Sequence, residues 1–100
     1  MKSRVVFLVR LKPGAEEAFL AAYESIRRLV AQEAEGHLVD QVCQSADDPE
    51  SWMITSEWRS LEDFLRWEAS EEHRRRVRPL RECIAEAQSL RFLVHVETGH

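Results

Sequence analysis

Cysteine is scarce. Cys43 and Cys83 are the two in 100 residues, they form no CxxC, and no metal-ligand spacing accompanies them. That excludes a disulfide-stapled scaffold and a zinc module, and makes two buried free thiols in a reducing cytoplasm the expectation. No apolar run approaches the ~20 residues that cross a bilayer. The stretch MKSRVVFLVRLKPG alternates and then turns at Pro13-Gly14, the pattern of a strand rather than a signal peptide. Positive charge is not in excess either. The 14 Lys and Arg against 18 Asp and Glu leave a net charge of −4, with no footprint for nucleic acid. No linker, repeat or low-complexity segment interrupts the chain. What is present, 44% apolar and 32% charged residues, suits one soluble globular domain over residues 1–100 with little core to spare.

Residues 4–11, RVVFLVRL, are rich in β-branched and aromatic types and predict a first strand. After Pro13-Gly14, Phe19, Ala22, Tyr23, Ile26, Leu29 and Val30 recur three and four apart. That spacing predicts an amphipathic helix over 15–35, with Gly36 at a left-handed C-cap. Residues 37–45 and 51–58 predict a hairpin about the turn Asp47-Asp48-Pro49-Glu50, and Trp52, Ile54, Ser56 and Trp58 share one face of its second strand. Ser60 with Asp63 has the spacing of an N-cap box ahead of Leu61, Phe64 and Leu65, and Ser70 restarts the helix. Pro79 is expected to open a third helical piece carrying Leu80, Cys83, Ile84 and Ala87. Residues 90–97 predict the last strand and His100 a frayed terminus. The order βαββαβ gives an α+β, ferredoxin-like fold: one antiparallel sheet with helices on one face.

Helices on one face leave the other uncovered, yet the strands are apolar on both. Val5, Phe7 and Val9 oppose Val6 and Leu8; Phe92 and Val94 oppose Leu93 and His95. A wet apolar face is unstable, so a homodimer with the two sheets packed together is expected.

The element order, the RLKPG turn, Gly36 ahead of strand two and the stretch SEWRSLEDFLRWEASEEH together resemble the antibiotic-biosynthesis monooxygenase domain over nearly the whole chain. The family's loose motif is a tryptophan ending strand three, a serine-started helix, an aromatic or histidine near the helix end, then a serine. Trp58, Ser60, Phe64, Trp67 and Ser70 occupy those places. The resemblance implies a dimeric α/β barrel. It also implies cofactor-independent oxygenation of an aromatic polyketide or quinol-like substrate, in which the ring itself reduces oxygen once the protein has bound, deprotonated and oriented it. Other members of the family degrade haem. The chain departs from both patterns. Matched through Trp58, the histidine, asparagine and helix tyrosine of the polyketide oxygenases fall at Cys43, Ile54 and Phe64. The axial histidine of the haem-degrading members falls at Val77 and their first-strand asparagine at Val9, so the expected cofactor is none, with haem binding through His73, one turn before Val77, the disfavoured alternative.

Trp52, Trp58, Phe64 and Trp67 either pack a core or line a cavity for a flat ligand, since a large ring suits both. On a helical wheel Glu68 projects between Leu61, Phe64 and Leu65, where a raised pKa would make its carboxylate a general base. A helix break at Ser70 would instead turn it to solvent or to an arginine. His73, just past the restart, is a proton shuttle or a surface histidine, and His37 and His95 are capping or interface residues. Arg74, Arg75, Arg76, Arg78 and Arg81, flanked by Glu71, Glu72 and Glu82, read as a solvated face, with Arg78 the one candidate to steady an anion. No metal site is expected. The expected function is therefore a monooxygenase in which Glu68 or His73 takes the proton, Arg78 holds the anion, and the four aromatic residues hold a small aromatic substrate. A non-catalytic ligand-binding domain and a non-oxidative, cyclase-like enzyme would use the same pocket.

Overall fold

Alternation along two central strands decides the architecture. The computed structural model describes residues 1–99; His100, expected to fray, lies outside them. The elements are β1 (Ser3–Leu11), α1 (Glu16–Glu33), β2 (His37–Gln44), β3 (Ser51–Trp58), α2 (Leu61–Glu68), α3 (Glu71–Arg81) and β4 (Ile84–Leu93). The four strands form one antiparallel sheet in the order β2-β3-β1-β4, the ferredoxin-like arrangement. Across the central pair, Val5 faces Ser56, Phe7 faces Ile54 and Val9 faces Trp52. Side chains two apart share a face, so these residues and Trp58 all look toward the helices. Arg4, Val6, Leu8, Met53, Thr55 and Glu57 look the other way.

Local chemistry sets the helix boundaries. Ser60 Oγ accepts the Asp63 N–H at 3.1 Å to begin α2, and Ser70 Oγ accepts the His73 N–H at 3.1 Å to begin α3. Ser70 also donates to the Trp67 carbonyl at 2.6 Å, so one residue closes one helix and opens the next. Gly36 has φ 87°, and its carbonyl accepts the Arg59 N–H at 2.8 Å. A Cβ there would lie 2.2 Å from Asp63 Oδ2. Glycine at this position lets the β2 entry lie directly on the start of α2.

The third helical piece expected after Pro79 does not form. Pro79 lies inside α3, which ends two residues later, and Cys83 N–H turns back to the Leu80 carbonyl at 3.0 Å. Ile84 and Ala87, expected on a helix, belong to β4, where they pair with Leu11 and Val9. The last strand therefore runs over Ile84–Leu93 rather than 90–97. Its alanines favour a helix intrinsically, but pairing with the apolar β1 outweighs that preference.

The second face of the sheet is uncovered by any helix. Leu8, Val39 and Phe92 are exposed there at 39%, 42% and 52%. Ion pairs border this apolar centre: Arg4 with Glu57 at 2.6 Å, Lys2 with Glu57 at 2.8 Å, and Arg10 with Asp48 at 2.6 Å. Among the described residues no helix is long and apolar enough to cross a membrane.

The Gly36 contact predicts a selective cost. Gly36→Ala lowers the unfolding free energy by roughly 2–4 kcal/mol, combining backbone strain with the collision against Asp63. Gly14→Ala, at φ 75° with nothing within 4 Å, bears only the backbone part, about 1–2 kcal/mol. Urea denaturation of both variants distinguishes them; equal losses would show that the Asp63 contact yields.

Candidate active site

The buried side chains form two separate clusters between helices and sheet. One contains Val9, Leu11, Phe19, Ile26, Trp52, Leu80 and Cys83; the other contains Val5, Ala34, Trp58, Phe64 and Trp67. Between them lies a cavity of about 270 Å³. Phe7 and Ile54 form its floor on the sheet, Trp58, Phe64 and Trp67 one wall, and Ile26, Val30, Val77 and Leu80 its helical cover. The volume is slightly below the ~300–1,000 Å³ typical of drug-sized ligand sites, so the space suits a compact guest.

The aromatic wall is built edge to face. Trp58 and Phe64 have ring centroids 5.4 Å apart at 68°, and His37 packs on the far side of Trp58 at 5.2 Å and 83°. The Trp58 indole N–H donates to Ser56 Oγ at 2.9 Å, so the ring presents its apolar surface and keeps its polar atom satisfied. Trp52 does not take part. Six residues along β3 from Trp58, it packs edge-on against Phe19 at 5.6 Å and donates to the Pro49 carbonyl at 3.1 Å. Of the four aromatic candidates, the structure thus brings Trp58, Phe64 and Trp67 together and leaves Trp52 in the other cluster.

Glu68 and His73 both line the cavity, in different states. Both Glu68 carboxylate oxygens accept from Arg91 Nη2 at 2.9 Å, and the same guanidinium lies 5.5 Å from the Phe64 ring centroid. Glu68 therefore ties α2 to β4 through an arginine, the alternative that the sequence left open. His73 is half-buried with its ring edge-on to Trp67 at 5.8 Å, and its Nδ1 is buried without a hydrogen-bond partner among the described residues. Burial, and then the neighbouring Arg81, push this imidazole below its ordinary value of 6.5, with Glu68 opposing them. The ring is mainly neutral at pH 7 and lines the cavity beside Trp67. Arg78 is exposed on α3 and lines no part of the cavity; Arg81, three residues later, does.

A second polar group carries no signal in the residue pattern. Tyr23 and Asp40 also line the cavity, and the Tyr23 hydroxyl donates to Asp40 Oδ2. Burial, and then this bond, push the Tyr23 phenol well above its ordinary range. A wider groove beside Trp67 is lined by charges that satisfy one another, Arg76 with Glu33 at 3.0 Å and Arg75 with Glu72 at 2.6 Å. Among the described residues no three His, Cys, Asp or Glu side chains are grouped to hold a metal ion. The cavity also fits haem poorly: the apolar Val77 stands where an axial ligand is expected, and the volume is small for a macrocycle.

Comparison with known proteins adds three findings. The family described as antibiotic biosynthesis monooxygenase matches residues 3–78. A 42.8 kDa protein in the whiE locus of Streptomyces coelicolor is 45% identical over 95 residues, which is 95% of this chain and 24% of the relative. Polyketide synthase CurD of Streptomyces cyaneus is 40% identical over 98 residues, covering 98% of this chain and 26% of CurD. The chain thus spans about a quarter of the length of these curated relatives. Among solved structures, SnoaB, a cofactor-independent oxygenase from Streptomyces nogalater, superposes with a TM-score of 0.84 at 15% identity, covering 99% of this chain and 98% of SnoaB. At that identity the likeness is one of fold.

Proposed function

Because this chain belongs to the antibiotic biosynthesis monooxygenase family, we propose that its cavity binds a compact aromatic polyketide intermediate and promotes oxygenation without a cofactor. The observation that carries this reading is the His73 imidazole, held mainly neutral by burial, lining an aromatic-walled apolar cavity. A neutral imidazole is a suitable base for a weakly acidic ring proton, whereas Glu68 is engaged by Arg91. Taking an anthrone as the simplest substrate, His73 removes a proton from the methylene carbon and leaves an electron-rich enolate. The enolate passes one electron to dioxygen, and the two radicals combine to form a C–O bond. Loss of water from the resulting hydroperoxide gives the quinone, so one anthrone and one dioxygen yield one anthraquinone and one water. Trp58, Phe64 and Trp67 hold the ring, and Arg81, which lines the cavity where Arg78 does not, steadies the enolate oxygen. The name of one Streptomyces relative, polyketide synthase CurD, supports the substrate class.

The same reading includes a homodimer. Leu8, Val39 and Phe92 are exposed beside Val6, Met53 and Leu90 on the uncovered sheet face, and apolar area of this kind is stable when a second copy covers it. A partner there would also stiffen the floor on which Phe7 and Ile54 stand.

Two measurements test these readings. Oxygen uptake with an anthrone is expected in the protein, and His73→Gln lowers kcat by about 100-fold or more while Glu68→Gln keeps most of the rate. The base acts when neutral, so the rate is full above the lowered His73 pKa and is lost as pH falls through it, placing the acid limb below pH 6.5. No oxygen uptake across a panel of anthrones and quinols would overturn the oxygenase reading, and ring closure of a substrate without uptake would assign a non-oxidative step instead. Sedimentation equilibrium at micromolar concentration is expected to give a dimer, dissociated by Leu8→Glu with Phe92→Glu; monomer alone in the unmutated protein contradicts the dimer.

A further inference from the structure

The cavity has polar groups at two opposite sides, and the proposed chemistry uses only one. Glu68, Arg81 and His73 belong to the β4 side, where Arg91 of β4 meets Glu68 and where Arg81 and Glu68 both act on His73. Asp40 belongs to β2, at the other edge of the sheet. Three strand spacings separate the edges, roughly 14 Å. Between these sides the lining is mainly apolar, with Ser56 and Ser89 on the sheet, and Arg27, one turn on from Tyr23, joins the lining near Asp40.

The Tyr23–Asp40 pair has an unusual hydrogen-bonding state. A tyrosine hydroxyl has one proton and two lone pairs, and here the proton is committed to Asp40 Oδ2. What Tyr23 can still offer a guest is an acceptor. Asp40 Oδ1 takes no hydrogen bond among the described residues: His37 Nε2, the nearest candidate donor, stands 3.7 Å away, beyond hydrogen-bond range. An ionised carboxylate also only accepts. The pair itself therefore presents acceptors and no donor, and the neighbouring Arg27 guanidinium is engaged by Glu24 at 3.0 Å. On its outer side the pair borders the groove between α1 and β2, so it closes the cavity along that flank.

We infer that Tyr23 and Asp40 favour ligands carrying a hydroxyl, over those with an ether oxygen, at the ring end remote from His73. This rests on the cavity being a ligand site, as proposed above. A phenolic O–H completes the acceptor pair, whereas a methoxy oxygen brings no proton to it. Sites built to bond a substrate hydroxyl discriminate against analogues that lack it, because the half-buried acceptors are then left without that partner. Tyr23 and Asp40 are thus specificity-determining residues, and the substrate class narrows to hydroxylated rings whose free hydroxyl lies away from the reacting carbon.

The test compares two probes of one skeleton, 2,6-dihydroxynaphthalene and 2,6-dimethoxynaphthalene, by titration calorimetry. The unmutated protein is expected to bind the dihydroxy compound about ten-fold more tightly or better. Tyr23→Phe removes an acceptor, and Asp40→Asn replaces one acceptor oxygen by an N–H donor. Each is expected to reduce the ratio to about three-fold or less, with the dimethoxy affinity little changed. A general structural defect would weaken both probes together, so the ratio reports the pair itself. Equal affinities in the unmutated protein, or a ratio unmoved in both variants, would overturn the inference and leave the cavity reading standing. Binding of neither probe would overturn the cavity reading, and this inference with it.

Discussion

The antiparallel ladder between β1 and β3 sets Val5 opposite Ser56, Phe7 opposite Ile54 and Val9 opposite Trp52, and this register governs both faces of the sheet. Strand side chains alternate with a period of two, so a slip of one residue would exchange the faces entirely. Trp58 would then lie on the uncovered face, and Arg4 and Glu57 would be driven under the helices without their exposed partners. Burial of the aromatic residues against α1 and α2 makes that exchange costly, at roughly 1.5–3 kcal/mol for each large apolar side chain moved into water. The register that builds the core also leaves Phe7 and Ile54 at the gap between the two clusters.

That gap differs from ordinary core in its polar lining. Buried polar atoms are nearly always bonded, and most here are: Trp58 to Ser56, Glu68 to Arg91, Tyr23 to Asp40. His73 Nδ1 is an exception. An unbonded buried nitrogen is unfavourable by about 1–3 kcal/mol, and Ser70 holds it in place by capping the helix that carries it. The other polar groups then act as fixed surroundings: Arg91 holds Glu68 at the rim, and Asp40 holds the Tyr23 proton away from the cavity.

Much of this fold was legible in the residues. Clean alternation in 51–58 placed β3 and its inward face, Ser60 and Ser70 marked the starts of α2 and α3, and Gly36 marked the left-handed turn. The errors have physical causes. Ile84 and Ala87 carry a helix-like pattern that pairing with β1 overrides. Arg78 and Arg81 lie on neighbouring faces of one helix, and which reaches the cavity depends on where α3 ends against β4. Trp52 and Trp58 share a face, but six residues of strand place them roughly 20 Å apart. The helical wheel did bring Glu68 to the cavity; Arg91, its partner 23 residues on, is a tertiary pairing that periodicity does not encode. Tyr23 reads as one more apolar member of the α1 stripe, and only packing of α1 over β2 brings its hydroxyl to Asp40.

The central claim is that the space beside Trp58 and Trp67 admits a planar guest. In a Trp52→Phe variant the two remaining indoles both line that space, so their fluorescence reports on it alone. Titration with anthraquinone is predicted to quench this emission saturably at one molecule per chain. Emission that falls only linearly with added quinone, as in collisional quenching, would mean that the indoles meet no bound ring and would contradict the account.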